Sequence, residues 1–184
     1  MALKATIHKA ELQIADMDRN YYASHELTLA RHPSETDERM MLRLLAFALH
    51  ASEELAFGRG LSTEDEPDLW ETRADGRILT WIDLGQPEER RIRKACGRAD
   101  AVWIYTYNAR STEVWWPKQQ EALQRFANLG IRSIPEPAVQ ALAGLARRNM
   151  QLQCSIQDGQ IWFGDEAQSL AIEPLLRKAP GEGG

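Results

Sequence analysis

Between residues 54 and 98 the chain gathers carboxylates and bases of the kinds that metal-assisted chemistry on phosphate requires. The run Glu66-Pro67-Asp68-Leu69-Trp70 is followed by Asp75-Gly76, and then by Trp81-Ile82-Asp83-Leu84-Gly85-Gln86-Pro87. Asp75-Gly76 suits the two central positions of a primed hairpin turn. With that turn, Trp70 lies opposite Trp81 and Asp68 opposite Asp83, both pairs on one face. Like charges directly opposed on adjacent strands, with Cβ atoms about 4.5 to 5.5 Å apart, repel unless something holds them. A hard divalent cation, Mg2+ or Mn2+, would do so, because such ions take carboxylate oxygens together with water and substrate phosphate. A longer turn would slip the register by one residue and leave the two aspartates as a solvated edge.

The helix that follows carries the densest group of bases in the chain, Arg90, Arg91, Arg93, Lys94 and Arg98, behind the acidic pair Glu88-Glu89. Its start lies just after Asp83, so its free N–H groups would face the same neighbourhood and accept an anion. Arg91 shares a helical face with Lys94 and with Arg98, which makes these three the candidate nucleic-acid contacts. The competing reading is a solvated helix whose charges complement its dipole. Trp103, Tyr105 and Tyr107 alternate along a strand and Trp115-Trp116-Pro117-Lys118 opens the next helix. These rings either stack bases, with Arg110 and Lys118 at the backbone, or fill the core.

The elements that must position these residues read as an α/β arrangement. Imperfect alternation gives strands over Leu3 to Ile14 and Tyr22 to Leu29, joined near Asp18-Arg19-Asn20. Ser34, followed by Glu35, Asp37 and Glu38, opens a long helix with Met41, Leu42, Leu45, Leu49 and Ala56 at helical spacing, ending at Gly58 or Gly60. Glu53 and Glu54 would then occupy its last turn, where the dipole disfavours negative charge and no Lys or Arg stands. They serve a cation or are simply exposed, and Glu54 continues the sheet-facing stripe of Phe47 and His50. Strands around Asp68 to Thr72 and Ile78 to Leu84, a helix opened by Pro87 and a strand from Ala101 to Tyr107 follow. A helix from Trp115 to Asn128, a strand at Ile131 to Ile134 and a helix from Pro137 to about Arg148 come next. Asp158-Gly159 then turns a hairpin with Leu152, Cys154, Ile156, Ile161 and Phe163 on an apolar face and Gln151, Gln153, Gln157 and Gln160 on a polar one.

At 184 residues and 43% hydrophobic composition, the chain suits a single domain over 1–178 with a disordered tail over 179–184. The net charge of −5 excludes a general DNA-coating protein and confines any nucleic-acid site to a local patch. No apolar run approaches the roughly 20 residues of a membrane span, and the start has no secretory signal. Cys96 and Cys154 have no metal-ligand spacing and read as free buried thiols of a cytoplasmic protein. The four histidines are scattered, and neither a Gly-rich phosphate loop nor a dinucleotide fingerprint is present.

The run from Pro67-Asp68-Leu69-Trp70 through Trp81-Ile82-Asp83-Leu84-Gly85-Gln86-Pro87 and Arg91-Ile92-Arg93-Lys94-Ala95 to Ala101-Val102-Trp103-Ile104-Tyr105-Thr106-Tyr107 resembles the YaeQ family of bacterial proteins, over nearly the whole chain. That family is similar to the restriction-endonuclease-like, or PD-(D/E)XK, nucleases. The resemblance implies a mixed central sheet flanked by helices, with a helix, hairpin, helix, strand core and added N-terminal and C-terminal hairpins. It implies a metal-dependent nuclease with Asp68 and Asp83 as the signature acids, Glu54 as the acid from the first helix, and Mg2+ or Mn2+ between them. The signature lysine is absent, since Gly85 stands in its place, and Gln86 and Lys94 are the residues that could act for it. The alternative is a non-catalytic module that keeps this fold to bind nucleic acid or a protein partner.

Overall fold

The computed structural model describes residues 4–59 and 65–181. In chain order its first elements are β1 (Thr6–Asp16), β2 (Tyr21–Arg31), α1 (Asp37–His50), β3 (Leu55–Phe57), β4 (Leu69–Thr72), β5 (Ile78–Leu84), α2 (Glu89–Arg98) and β6 (Ala99–Thr106). Then come α3 (Ala109–Leu123), β7 (Leu129–Ser133), α4 (Glu136–Ala143), β8 (Asn149–Gln157), β9 (Gln160–Gly164), β10 (Ser169–Ile172) and β11 (Leu175–Lys178). The chain is a mixed α/β protein, and among the described residues its strands form two mixed sheets rather than one. A five-stranded sheet runs β10-β9-β8-β1-β2 and a six-stranded sheet runs β11-β7-β6-β5-β4-β3. The hairpins expected as additions to a central sheet form the five-stranded sheet together, because β1 pairs in parallel with β8 across most of the sequence. Local alternation carries no information about such a pairing. The chain groups into two compact units, Met1–Ala51 with Pro137–Glu173, and Ser52–Glu136 with Pro174–Gly184, each holding one sheet.

In the first unit β1 buries Ala10, Leu12 and Ile14 and exposes Lys9, Glu11 and Gln13, as a sheet with one wet face requires. The β8–β9 hairpin follows its sequence pattern: Gln157 pairs with Gln160, and Asp158 and Gly159 both have positive φ, 52° and 75°. Helix α1 begins later than expected. Ser34 spends its hydroxyl on the His32 ring at 2.6 Å, and Thr36 is the N-cap, accepting the Arg39 N–H. Residues 40 to 49 of α1 are buried on every side. The helix also ends at His50, well before the expected glycines, of which Gly60 lies outside the described residues. Its terminus is set by Arg19 of the β1–β2 turn, whose guanidinium donates to the carbonyls of Ala51 at 3.0 Å and Ala48 at 3.4 Å while Asp16 holds it at 2.6 Å. A cation from elsewhere in the chain thus satisfies the terminal carbonyls that the local sequence leaves open.

In the second unit β5, β6 and β7 are parallel and α2 and α3 are the crossovers between them. Ile92 and Ala95 of α2 and Trp115, Trp116 and Leu123 of α3 pack with Trp81, Val102, Ile104, Leu129 and Ile131 into one apolar cluster. The tryptophans at the Trp115-Trp116 step are therefore core. Helix α3 starts at Ala109, not at Trp115: Asn108, at φ 63°, caps it through its side chain, and Pro117 lies inside the helix instead of opening it. Strand β11 ends at Lys178, which is buried and donates its ammonium to the carbonyls of Phe126 and Leu129 at 2.8 and 3.1 Å. Of the segment expected to be a disordered tail, Gly181 donates its N–H to Ala127 at 2.6 Å, and residues 182–184 lie outside the described residues.

Candidate functional site

The β4–β5 hairpin reaches the expected register by an unexpected route. Its loop is one residue longer than a two-residue turn: the Arg73 N–H meets the Arg77 carbonyl at 2.8 Å, and Gly76, at φ 89°, donates to the Arg73 carbonyl. That loop pairs Thr72 with Ile78, one step out of the expected alignment. A bulge follows at Leu79, so Glu71 pairs with Thr80 and Trp70 with Trp81. The two indoles meet edge to face with centroids 6.2 Å apart. Asp68 and Asp83 are the next facing positions beyond Leu69 and Ile82, and both are buried.

Their carboxylates take different partners. Asp68 Oδ2 accepts the Leu84 N–H at 2.8 Å, closing the open end of the hairpin with a side chain in place of a ladder bond. Asp83 is gripped by Arg91 from α2, Nε to Oδ2 at 2.8 Å and Nη2 to Oδ1 at 3.0 Å, and its Oδ2 also accepts the Trp81 indole N–H at 3.0 Å. This is a bidentate, charge-assisted pair on a carboxylate only 4% exposed. Both oxygens that a cation would need are engaged by a guanidinium.

The remaining candidates lie as follows. Glu54 is exposed in the turn after α1, beside the Leu55–Glu71 pair, whereas Asp68 is at the opposite end of β4. Four strand residues, roughly 13 Å, separate those ends. Glu54 and Asp68 are thus not brought together, because α1 stops at His50 and β3 carries the chain along β4. Among the described residues no group of three His, Cys, Asp or Glu side chains is placed to hold a metal ion. The donor set does not fit a resident Mg2+ or Mn2+ in this arrangement. Gln86 donates its amide to the Tyr107 carbonyl and, at 3.1 Å, to Thr112 Oγ1, which fastens the Gly85 turn to the start of α3. Gly85, at φ 104°, needs the conformation that a lysine would adopt only with strain.

The bases of α2 do converge. Glu88, Arg90, Arg91 and Lys94 line an open cleft of about 350 Å³. Lys94 Nζ contacts Asp65 Oδ1 at 2.9 Å, Arg98 Nη1 donates to the Asp65 carbonyl at 3.2 Å, and Arg91 Nη2 to the Glu66 carbonyl at 3.0 Å. The hydrogen bond and charge of Lys94, helped by Arg98 and Arg91, hold the Asp65 carboxyl below its ordinary range. Arg91 and Arg98 also lie over the Trp81 ring, 5.8 and 5.2 Å from its centroid. Sequence reasoning found these bases but missed Asp65 and Glu66 as their partners, and missed that Arg91, eight positions after Asp83, turns back onto it.

Comparison with known proteins is consistent over nearly the whole length. Residues 1–174 match the family model described as YaeQ protein. The uncharacterised YaeQ proteins of Salmonella typhi and Escherichia coli (strain K12) are 50% and 48% identical over 180 residues, which cover 98% of this chain and 99% of each relative. The crystal structure of the YaeQ protein from Xanthomonas axonopodis pv. citri superposes with a TM-score of 0.93 at 50% identity, covering 96% of this chain and 99% of that one. That from Pseudomonas syringae superposes with a TM-score of 0.91 at 37% identity, covering 95% and 97%. The chain belongs to the YaeQ family.

Proposed function

We propose that this member of the YaeQ family is a nuclease-like module that binds the phosphate backbone of nucleic acid on the basic face of α2, with no resident metal. The element order α1, β4–β5, α2, β6 supports the likeness to the restriction-endonuclease-like core. The observation that carries the reading is the Arg91–Asp83 clamp. It occupies the acceptors of the central signature acid, and it leaves the cleft lined by Glu88, Arg90, Arg91 and Lys94, with three bases against one acid, as a place for an anion. Phosphate oxygens would bind there by charge and by N–H donation, and the protein's net charge of −5 would keep the affinity low and salt dependent. Free cysteines, and described helices too short or too polar to cross a membrane, support a cytoplasmic setting. The test is fluorescence anisotropy of a labelled oligonucleotide at low and high salt, with Arg90→Ala and Lys94→Ala combined. Arg91 is left intact so that folding is not compromised. Binding that weakens with salt and is lost in the double variant is expected; binding indifferent to both overturns the reading.

A second reading, Mg2+- or Mn2+-dependent phosphodiester hydrolysis using Asp68 and Asp83, is favoured by one observation. The Arg91 side chain remains 29% exposed, so an arriving anion has access to it and could draw it from Asp83. Mn2+-dependent cleavage of an oligonucleotide, lost in Asp83→Ala, would establish that reading in place of the first.

A further inference from the structure

The three α2 bases assigned to nucleic acid all hold the same two-residue stretch of their own chain. Lys94 takes the Asp65 carboxylate at 2.9 Å, Arg98 the Asp65 carbonyl at 3.2 Å and Arg91 the Glu66 carbonyl at 3.0 Å. Arg91, Lys94 and Arg98 fall at helix spacings of three and four residues, which sets them in a row on one face. The stretch laid along that row offers it the Asp65 carboxylate and two carbonyl oxygens, while the Glu66 carboxylate is taken by Arg59, and the cleft beside it is the one lined by Glu88, Arg90, Arg91 and Lys94.

We infer that Asp65-Glu66 is an internal competitor for the anion site, so that a polyanion binds α2 by displacing the Asp65 carboxylate from Lys94. The inference rests on the proposed nucleic-acid reading and adds its regulation. The competition is modest by construction. Both ends of the Lys94–Asp65 pair are solvent exposed, at 57% and 82%, so the pair is easily opened, and a polyanion that sets several phosphates along the row and releases its counterions replaces a single carboxylate. Arg91 and Arg98 keep main-chain partners that a phosphate need not break to gain its first contact. A solvated acid with no role would add only a general repulsion of the polyanion, independent of Lys94, whereas a competitor's effect disappears when Lys94 is removed.

The test is anisotropy of a labelled single-stranded oligonucleotide and of its duplex at low ionic strength, with wild type, Asp65→Asn and Asp65→Asn combined with Lys94→Ala, each shown to be folded by its melting curve. Asp65→Asn should bind about two- to fivefold more tightly, the range an exposed ion pair is worth. The combined variant should lose that gain. If wild type binds and Asp65→Asn binds no more tightly, the inference fails while the functional reading stands. If neither protein binds either oligonucleotide, both fall together.

Discussion

The guanidinium of Arg91 holds both oxygens of Asp83, at 2.8 and 3.0 Å, on a carboxylate that also accepts the Trp81 indole. Two buried aspartates at facing register positions would repel, and a metal could hold them, but here a side chain already supplies the positive charge. The sign of a mutational effect separates the two cases. Were Asp83 an empty metal ligand, Asp83→Asn would raise stability in metal-free buffer by removing repulsion. With Arg91 in place, Asp83→Asn should lower the melting temperature, and Arg91→Ala should lower it more, since it strands a buried carboxylate. Breaking a buried pair costs about 3 kcal/mol or more, and for a chain of this length that is roughly 6 to 12 °C. Mn2+ should not raise the wild-type melting temperature. A rise in either Asn variant, Asp68→Asn or Asp83→Asn, together with stabilisation by Mn2+, would reverse the assignment.

A second expectation concerns Arg19. It bridges the buried Asp16 carboxylate to the last carbonyls of α1, so Arg19→Ala removes a counterion and a helix cap together. Because the guanidinium is 38% exposed, the loss should be smaller than for a fully buried pair, about 1 to 3 kcal/mol. Arg19→Lys should restore only part of it, since an ammonium cannot reach the carboxylate and two carbonyls in one planar fork. Denaturant unfolding measures both, and equal midpoints for wild type and Arg19→Ala would remove Arg19 from the account of where α1 stops.

How far the sequence could be read depended on how local the deciding contact was. The β8–β9 turn is decided by Asp158-Gly159 itself and was legible. The facing of Trp70 and Trp81 was read correctly although the turn was misjudged, because the bulge at Leu79 cancels the extra loop residue. The end of α1 was not legible, since Arg19 lies far from it in sequence, and the shift carried Glu54 out of the predicted site. The run Trp115-Trp116-Pro117-Lys118 reads as a helix start, yet Asn108 caps α3 further upstream and the buried Trp115 and Trp116 lie within it. The pairings β1–β8 and β7–β11 join distant segments, and Lys178, which anchors the second, reads in sequence as the edge of a tail.

Gly130 gives a third test. It faces Trp103 across the β6–β7 ladder, and a Cβ added there would lie inside the indole ring's contact radius, 2.6 Å from Cη2. The ring cannot simply turn away, because Arg132 stacks over it at 4.3 Å and donates to the Tyr105 hydroxyl at 3.1 Å. Gly130→Ala should therefore destabilise by about 1 to 3 kcal/mol, the cost of overpacking. Pairing it with Trp103→Phe, which shortens the ring, should recover part of the loss, and simple additivity of the two variants would show that the contact is not the cause.

The cysteines set a stability limit at high pH. Burial pushes the Cys154 thiol up to about 12, with Asp16 adding to the rise, and burial pushes Cys96 up to about 11 against the opposing charge of Lys178. Both thiols stay protonated in the folded state through the range in which the unfolded chain releases its protons, beginning near 9. The unfolded state then binds fewer protons than the folded one, so stability falls as pH rises. The contribution is complete below about pH 8.5 and is lost as pH rises toward 11 for Cys96 and 12 for Cys154. Cys154→Ala will lower stability at pH 7 by leaving a small cavity, but the decline between pH 8 and 10 should be shallower than in wild type by close to one proton's worth of slope, about 1.4 kcal/mol per pH unit once the unfolded thiol is ionised. Urea unfolding at matched pH values isolates this difference from the lysines and tyrosines common to both proteins. Parallel declines would mean that the Cys154 thiol ionises in the folded state as readily as in the unfolded chain, and that its burial in the β8–β9 sheet face does not hold its proton.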